Sequence, residues 1–184
     1  MPARVEVKPR GHVTATAPDG FASFCARVAD QCSPSPEAAP TLRLDTRSWS
    51  AIERVNLHVN GAVKPETDEK HYGVEEYWTI VTDGFGDCED YALTKRKELI
   101  EAGLPEPALR MAIVVTLRNE RHSVLTVATD RGDFVLDNLT NDILPWNATG
   151  YSWVASQDAI GKLGWVVFNG DDRNIRSVAT AGMP

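Results

Sequence analysis

A chain of 184 residues that is 42% hydrophobic and 24% charged holds enough apolar material for one globular core. Its formal net charge of −7 comes without any block of basic residues, which argues against nucleic acid or an anionic membrane surface as the main partner. No apolar run reaches the roughly 18 residues that a bilayer-spanning helix needs, and the chain carries neither repeats nor low-complexity tracts.

Residues 1–20, with Pro9, Gly11, Pro18 and Gly20, read as a polar, extended lead-in, leaving residues 21–184 as a single domain. Phe21, Phe24, Cys25 and Val28 fall at i, i+3, i+4, i+7 and predict a short helix over 21–30. A proline-rich loop follows (Pro34, Pro36, Pro40). Over 48–63, Trp49, Ile52, Val55, Val59 and Val63 share one face of an amphipathic helix, with Asp45 or Ser48 as its cap and Pro65 as its stop. Residues 67–72 read as a polar loop. Gly84-Phe85-Gly86-Asp87-Cys88-Glu89-Asp90 then opens a helix that runs to Ile100 and ends before Gly103 and Pro105, with Asp87 as an N-cap able to accept from free amides one turn on.

Beyond that helix the period changes. Residues 109–117, 122–128 and 134–137 are apolar, β-branched runs separated by short polar turns, the pattern of an antiparallel meander. Residues 146–154 and 165–168 read as further strands, the latter after a short helix or loop around 157–162. Helices first and sheet later gives the class α+β.

The boundary at Asp87 places Cys88 at the first helical residue, where unsatisfied amides and the positive end of the macrodipole favour thiolate over thiol. In the meander His122 opens the second strand and Asp137 closes the third, so an imidazole and a carboxylate can meet beside the cysteine, the logic of a Cys-His-Asp triad. The other histidines, His12, His58 and His71, have no such natural partner. The plainer reading takes Cys88 as a buried small hydrophobe, His122 as a strand-end surface residue and Asp137 as a turn former. Asp87, Glu89 and Asp90 crowd the thiol with like charge, which opposes a thiolate unless a hard cation offsets it. Without a cation, the same acids serve as an N-cap and as first-turn partners of the helix dipole. Trp78 is either core or a wall of the substrate cleft beside the Cys88 amide. Cys25 and Cys32 read either as one short disulfide in an oxidising compartment or, with Cys88, as three reduced thiols in the cytosol. Residues 1–6 lack the apolar stretch of a secretory signal, so the chain is cytosolic or has had its signal removed.

The string Gly-Asp-Cys-Glu-Asp-Tyr-Ala at 86–92, preceded by Tyr77-Trp78 and followed by Arg121-His122-Ser123-Val124-Leu125 and Val135-Leu136-Asp137-Asn138-Leu139, resembles the bacterial transglutaminase-like cysteine proteinase family. The resemblance runs from Trp49 to Trp165, and the Cys25 to Cys32 element resembles exported members. It implies a papain-like, transglutaminase-like core with the nucleophile helix packed on an antiparallel sheet, Cys88 as nucleophile, His122 as base and Asp137 as orienting acid. It also implies calcium held by Asp87 and Glu89, with Asp90 as a further candidate. The expected activity is that of a cysteine endopeptidase working through an acyl-enzyme. The expected setting is the periplasm, the expected substrate a protein such as a biofilm adhesin, and one branch of the family brings in a cyclic di-GMP-responsive inner-membrane receptor as partner. Two other readings keep the motif: a transglutaminase or cell-wall amidase with the same triad, and a calcium-dependent binding module with an inert thiol. The chain departs from the usual family pattern in lacking a proline between Trp78 and Gly86.

Overall fold

The computed structural model describes residue 2 and residues 13–32, 41–158 and 164–168. His12, the proline-rich loop at Pro34, Pro36 and Pro40, and most of the 157–162 segment lie outside the described residues. In chain order the elements are β1 (Val13–Ala15), α1 (Asp19–Arg27), α2 (Thr46–Ala62), β2 (Lys64–Pro65), α3 (Asp68–Tyr72), β3 (Phe85–Gly86) and α4 (Cys88–Glu101). There follow β4 (Leu109–Val115), β5 (Arg121–Thr129), β6 (Gly132–Leu136), β7 (Leu144–Pro145), β8 (Ser152–Gln157) and β9 (Trp165–Val167). One-turn 3-10 helices stand at Ala29–Cys32, Glu106–Ala108 and Trp146–Ala148.

Helices precede the sheet, as the periodicities predict. The sheet is antiparallel and seven-stranded in the order β1-β9-β8-β4-β5-β6-β7, so the meander β4-β5-β6 forms its centre. Alternate residues of the central strands divide between two cores. Met111, Ile113, Leu125 and Val127 face the larger one, shared with Phe21, Ile52, Val55, Leu93 and Leu99 of the helices. Ala112, Val114 and Val124 face a smaller one with Val135 and Trp153. β2 and β3 form a separate parallel pair that ties the end of α2 to the start of α4.

The long helices form for the reasons the sequence gives. Asp45 accepts from the Ser48 amide at 2.7 Å while the Asp45 amide donates to Ser48 Oγ at 2.9 Å, so the two candidate caps act together as a capping box. α2 buries Ala51, Ile52, Val55 and Val59 against the sheet side, and α4 packs on both α2 and β5. Three expectations need correction. The lead-in ends in structure, because Val13–Ala15 pairs antiparallel with β9 and α1 begins at Asp19. The expected loop at 67–72 contains the single-turn helix α3, stopped by Gly73 at φ 73°. Trp146 begins a 3-10 turn and not a strand; Gly150 takes φ 72° and the strand starts only at Ser152.

Candidate functional site

α4 begins at Cys88 with Asp87 in extended N-cap conformation (φ −107°, ψ −165°), and the Tyr91 amide returns to the Asp87 carbonyl at 3.1 Å. The Asp87 carboxylate does not cap the helix as expected. It is buried, and among the described residues neither of its oxygens has a hydrogen-bond partner. The Cys88 side chain is 6% exposed; its thiol donates to Glu89 Oε2 at 2.9 Å, and its sulfur accepts from the Ser123 amide at 3.4 Å. That second contact seats the sulfur against β5 one residue from His122. Among the described residues no hydrogen bond joins Cys88 to His122; the thiol is engaged with Glu89.

His122 and Asp137 meet as their strand positions allow, with His122 Nε2 and Asp137 Oδ1 2.7 Å apart. Both are buried. Burial works against the Asp137 carboxylate, but the His122 ring, the Leu139 amide and the Tyr151 hydroxyl outweigh it and hold it below the usual carboxylate range. An ionised Asp137 can only accept, so Nε2 carries the proton and Nδ1 is the nitrogen free to receive one from a thiol. Two further donors fix the Asp137 main-chain carbonyl: Lys95 Nζ and Asn60 Nδ2, each at 2.9 Å. Lys95 is buried inside α4, and burial, opposed by the Asp137 charge, brings its ammonium down to about 7.

Three carboxylates gather on the other side of the sulfur. Asp68, Asp87 and Glu89 each offer an oxygen, all within 4.8 Å of one another, and all three side chains are buried. Among the described residues, Asp68 Oδ1, both oxygens of Asp87 and Glu89 Oε1 lack a hydrogen-bond donor. The chemistry of so crowded a set is visible in its proton affinities. Burial, then the Asp68 charge, lifts Asp87 to about 7; burial, then Asp87 and Glu76, drives Glu89 well above its ordinary value. Burial, then the Glu89 and Asp87 charges, likewise pushes the Cys88 thiol up. Buried acceptors with no donor, clustered at this spacing, fit a hard oxygen-seeking cation.

Asp90, grouped with these acids in the sequence, stands outside the trio. Its Oδ1 accepts from the Thr79 amide at 2.8 Å, and a Cβ at Gly86 would lie 2.9 Å from its Oδ2. Asp68, Asp90 and Thr94 in fact accept from the amides of Tyr77, Thr79 and Val81, every second residue of the irregular segment that leads into the site. Trp78 is not a cleft wall. It is fully buried, edge-on to Phe21 at 5.9 Å, with Nε1 donating to Glu76 at 2.8 Å. Cys25 and Cys32 are disulfide-bonded, and the loop they close touches the site from behind: Arg27 donates to the Trp78 carbonyl at 2.7 Å and Arg96 of α4 to the Gln31 carbonyl at 2.7 Å.

Sequence reasoning missed Asp68 and Tyr151. Asp68 follows Thr67 and precedes Glu69, with Gly73 beyond, which is a cap, an acidic first turn and a stop compressed into one turn. Tyr151 has no sequence signal of its own.

The model of the bacterial transglutaminase-like cysteine proteinases matches residues 11–173. Among solved structures, LapG of Legionella pneumophila is similar in three forms. One form is 31% identical with a TM-score of 0.56, covering 68% of this chain and 72% of that one. The calcium-bound form is 30% identical with a TM-score of 0.55, covering 64% and 68%. The EGTA-treated form is 32% identical with a TM-score of 0.51, covering 59% of this chain and only 62% of that one. A comparison with curated protein sequences gave no match. With the family model spanning most of its length and the sheet, the helices and the Gly-Asp-Cys turn arranged as described, this chain belongs to the bacterial transglutaminase-like cysteine proteinase family.

Proposed function

We propose that the protein is a cysteine endopeptidase in which Cys88 attacks a backbone carbonyl, His122 carries the proton and Asp137 orients the imidazole. The observation that carries this reading is the 2.7 Å contact of His122 with Asp137 on the strand whose next amide, that of Ser123, meets the Cys88 sulfur. The thiol gives its proton to His122 Nδ1 as the sulfur bonds to the carbonyl carbon. The protonated ring passes that proton to the leaving amine as the peptide bond breaks. Water then adds to the acyl-enzyme, again losing a proton to His122, and the sulfur departs.

Calcium belongs to the same proposal. Asp68, Asp87 and Glu89 would hold it, and the calcium-bound structure of the similar LapG supports the choice of ion. When bound, it would supply positive charge against the acids that raise the thiol. The remaining elements follow the family likeness. We place the protein in the periplasm, which the Cys25–Cys32 disulfide supports, with a surface adhesin as substrate and a cyclic di-GMP-responsive receptor as partner. Residues 21–184 would form the single proteinase domain. Mass spectrometry of candidate surface proteins, incubated with calcium or with EGTA, tests the reaction. Two fragments whose masses sum to substrate plus water, lost in EGTA and in Cys88→Ala, are expected. Amine incorporation without cleavage would make it a transferase. No reaction, with Cys88 alkylating no faster than free cysteine in calcium, would make the thiol inert.

A further inference from the structure

We infer that Tyr151 is a positioning residue for the His122–Asp137 pair, its hydroxyl holding the one carboxylate oxygen that no other side chain reaches among the described residues. This rests on the proteolytic reading of the pair. Asp137 Oδ1 takes two donors, the His122 ring at 2.7 Å and the Leu139 amide at 3.0 Å. Oδ2 takes the Tyr151 hydroxyl at 2.6 Å. Asp137 is 3% exposed, so without that hydroxyl a buried carboxylate oxygen would have no donor among the described residues, and the carboxylate would lean its full charge on the imidazole, which then releases its proton less readily. Tyr151 also touches the second member directly: its ring stands edge-on to the His122 ring at 6.2 Å and 79°.

The register explains the meeting of residues so far apart in sequence. Val114 on β4 pairs with His122 on one side and with Trp153 on the other, and Tyr151 lies two residues before Trp153, on the same face. The approach to Tyr151 is held as well. Thr149 Oγ1 donates to the Trp146 carbonyl at 3.0 Å and accepts from the Tyr151 amide at 3.2 Å. Gly150 has φ +72°, and Leu117 from the β4–β5 turn lies 3.3 Å from where its Cβ would be. Burial, reinforced by Asp137, raises the Tyr151 phenol above its ordinary value, so it remains a donor throughout the working range.

The test reads the pair directly. In Cys88→Ala protein, the proton shared by His122 Nε2 and Asp137 is followed by proton NMR. Tyr151→Phe, which retains the ring, moves that resonance further downfield, because a carboxylate with one donor fewer accepts more strongly from the imidazole. 3-Fluorotyrosine at 151, a stronger donor that leaves the fold untouched, moves it upfield. In the active protein Tyr151→Phe lowers kcat roughly tenfold with KM unchanged. A resonance unmoved in both substitutions, or a KM increase with kcat unchanged, overturns the inference. The NMR arms need no substrate, so they stand or fall apart from proteolysis itself.

Discussion

Asp68→Asn should raise stability without calcium and shrink the further stabilisation that calcium adds. Without the cation, Asp87 is lifted from 3.8 to about 7, first by burial and then by the Asp68 charge. The folded protein therefore keeps a proton that the unfolded chain has released between those values, and stability falls as pH rises through that window. By pH 8 the full penalty of about 4 kcal/mol is present. If the second cause supplies a quarter to a half of it, Asn relieves about 1–2 kcal/mol, while its carbonyl oxygen still accepts from the Tyr77 amide. For a chain of this length that is a Tm increase of about 2–8 °C in EGTA. With calcium the variant lacks one of three carboxylates. A 10- to 100-fold loss of affinity removes about 1.4–2.7 kcal/mol of ligand stabilisation at saturating calcium. Thermal unfolding at pH 8, in EGTA and in millimolar calcium, shows both effects. A variant that melts lower than the parent in EGTA, with its calcium increment unchanged, would refute the reasoning.

Lys95 gives a pH signature of its own. Burial brings it from 10.5 to about 7, so between those values the unfolded chain binds more protons and stability rises with pH, by up to roughly 5 kcal/mol. Urea unfolding at pH 7 and pH 10 should give a stability change more positive in the parent than in Lys95→Met by up to that amount, the buried acids around Cys88 acting alike in both; equal changes would contradict it. Replacing Cys25 and Cys32 together by Ser opens a loop with a sequence separation of 7, costing roughly 2–3 kcal/mol, read as a Tm lower by about 4–12 °C. An unchanged Tm would show that the bond constrains nothing. Gly86→Ala puts a Cβ 2.8 Å from Asp90 Cβ and 3.0 Å from Val81 Cγ2, and should cost about 1–3 kcal/mol. A Tm equal to that of the parent would show that the contact relaxes freely.

What the sequence made legible was whatever repeats along the chain. α2 shows its face every three or four residues, and the strands of the meander announce themselves by β-branched runs between polar turns. Cys88, His122 and Asp137 were legible because two of them close and open such strands and the third follows a helix-start signal. α3 was not, since five residues complete barely one turn, and Asp68 finds its neighbours Asp87 and Glu89 only through tertiary approach. Tyr151 was lost for a related reason: residues 146–154 look like one apolar strand, yet a 3-10 turn and Gly150 delay the ladder to Ser152. The place of Trp78 depended on Phe21, which α1 brings from far upstream. The acids beside the sulfur were plain in the sequence; that burial would be the first cause raising the thiol was not.

Because Asp87, Cys88 and Glu89 are consecutive at the first turn of α4, the proposed nucleophile and two of the proposed cation ligands share a single rotational phase. One residue inserted or deleted between Gly86 and the body of the helix would turn the following side chains by about 100°. Sulfur and ligand oxygens would swing off their targets at once. Of the three proposed ligands only Asp68 is carried on a separate short helix, so a change there would alter the proposed cation site without shifting that phase.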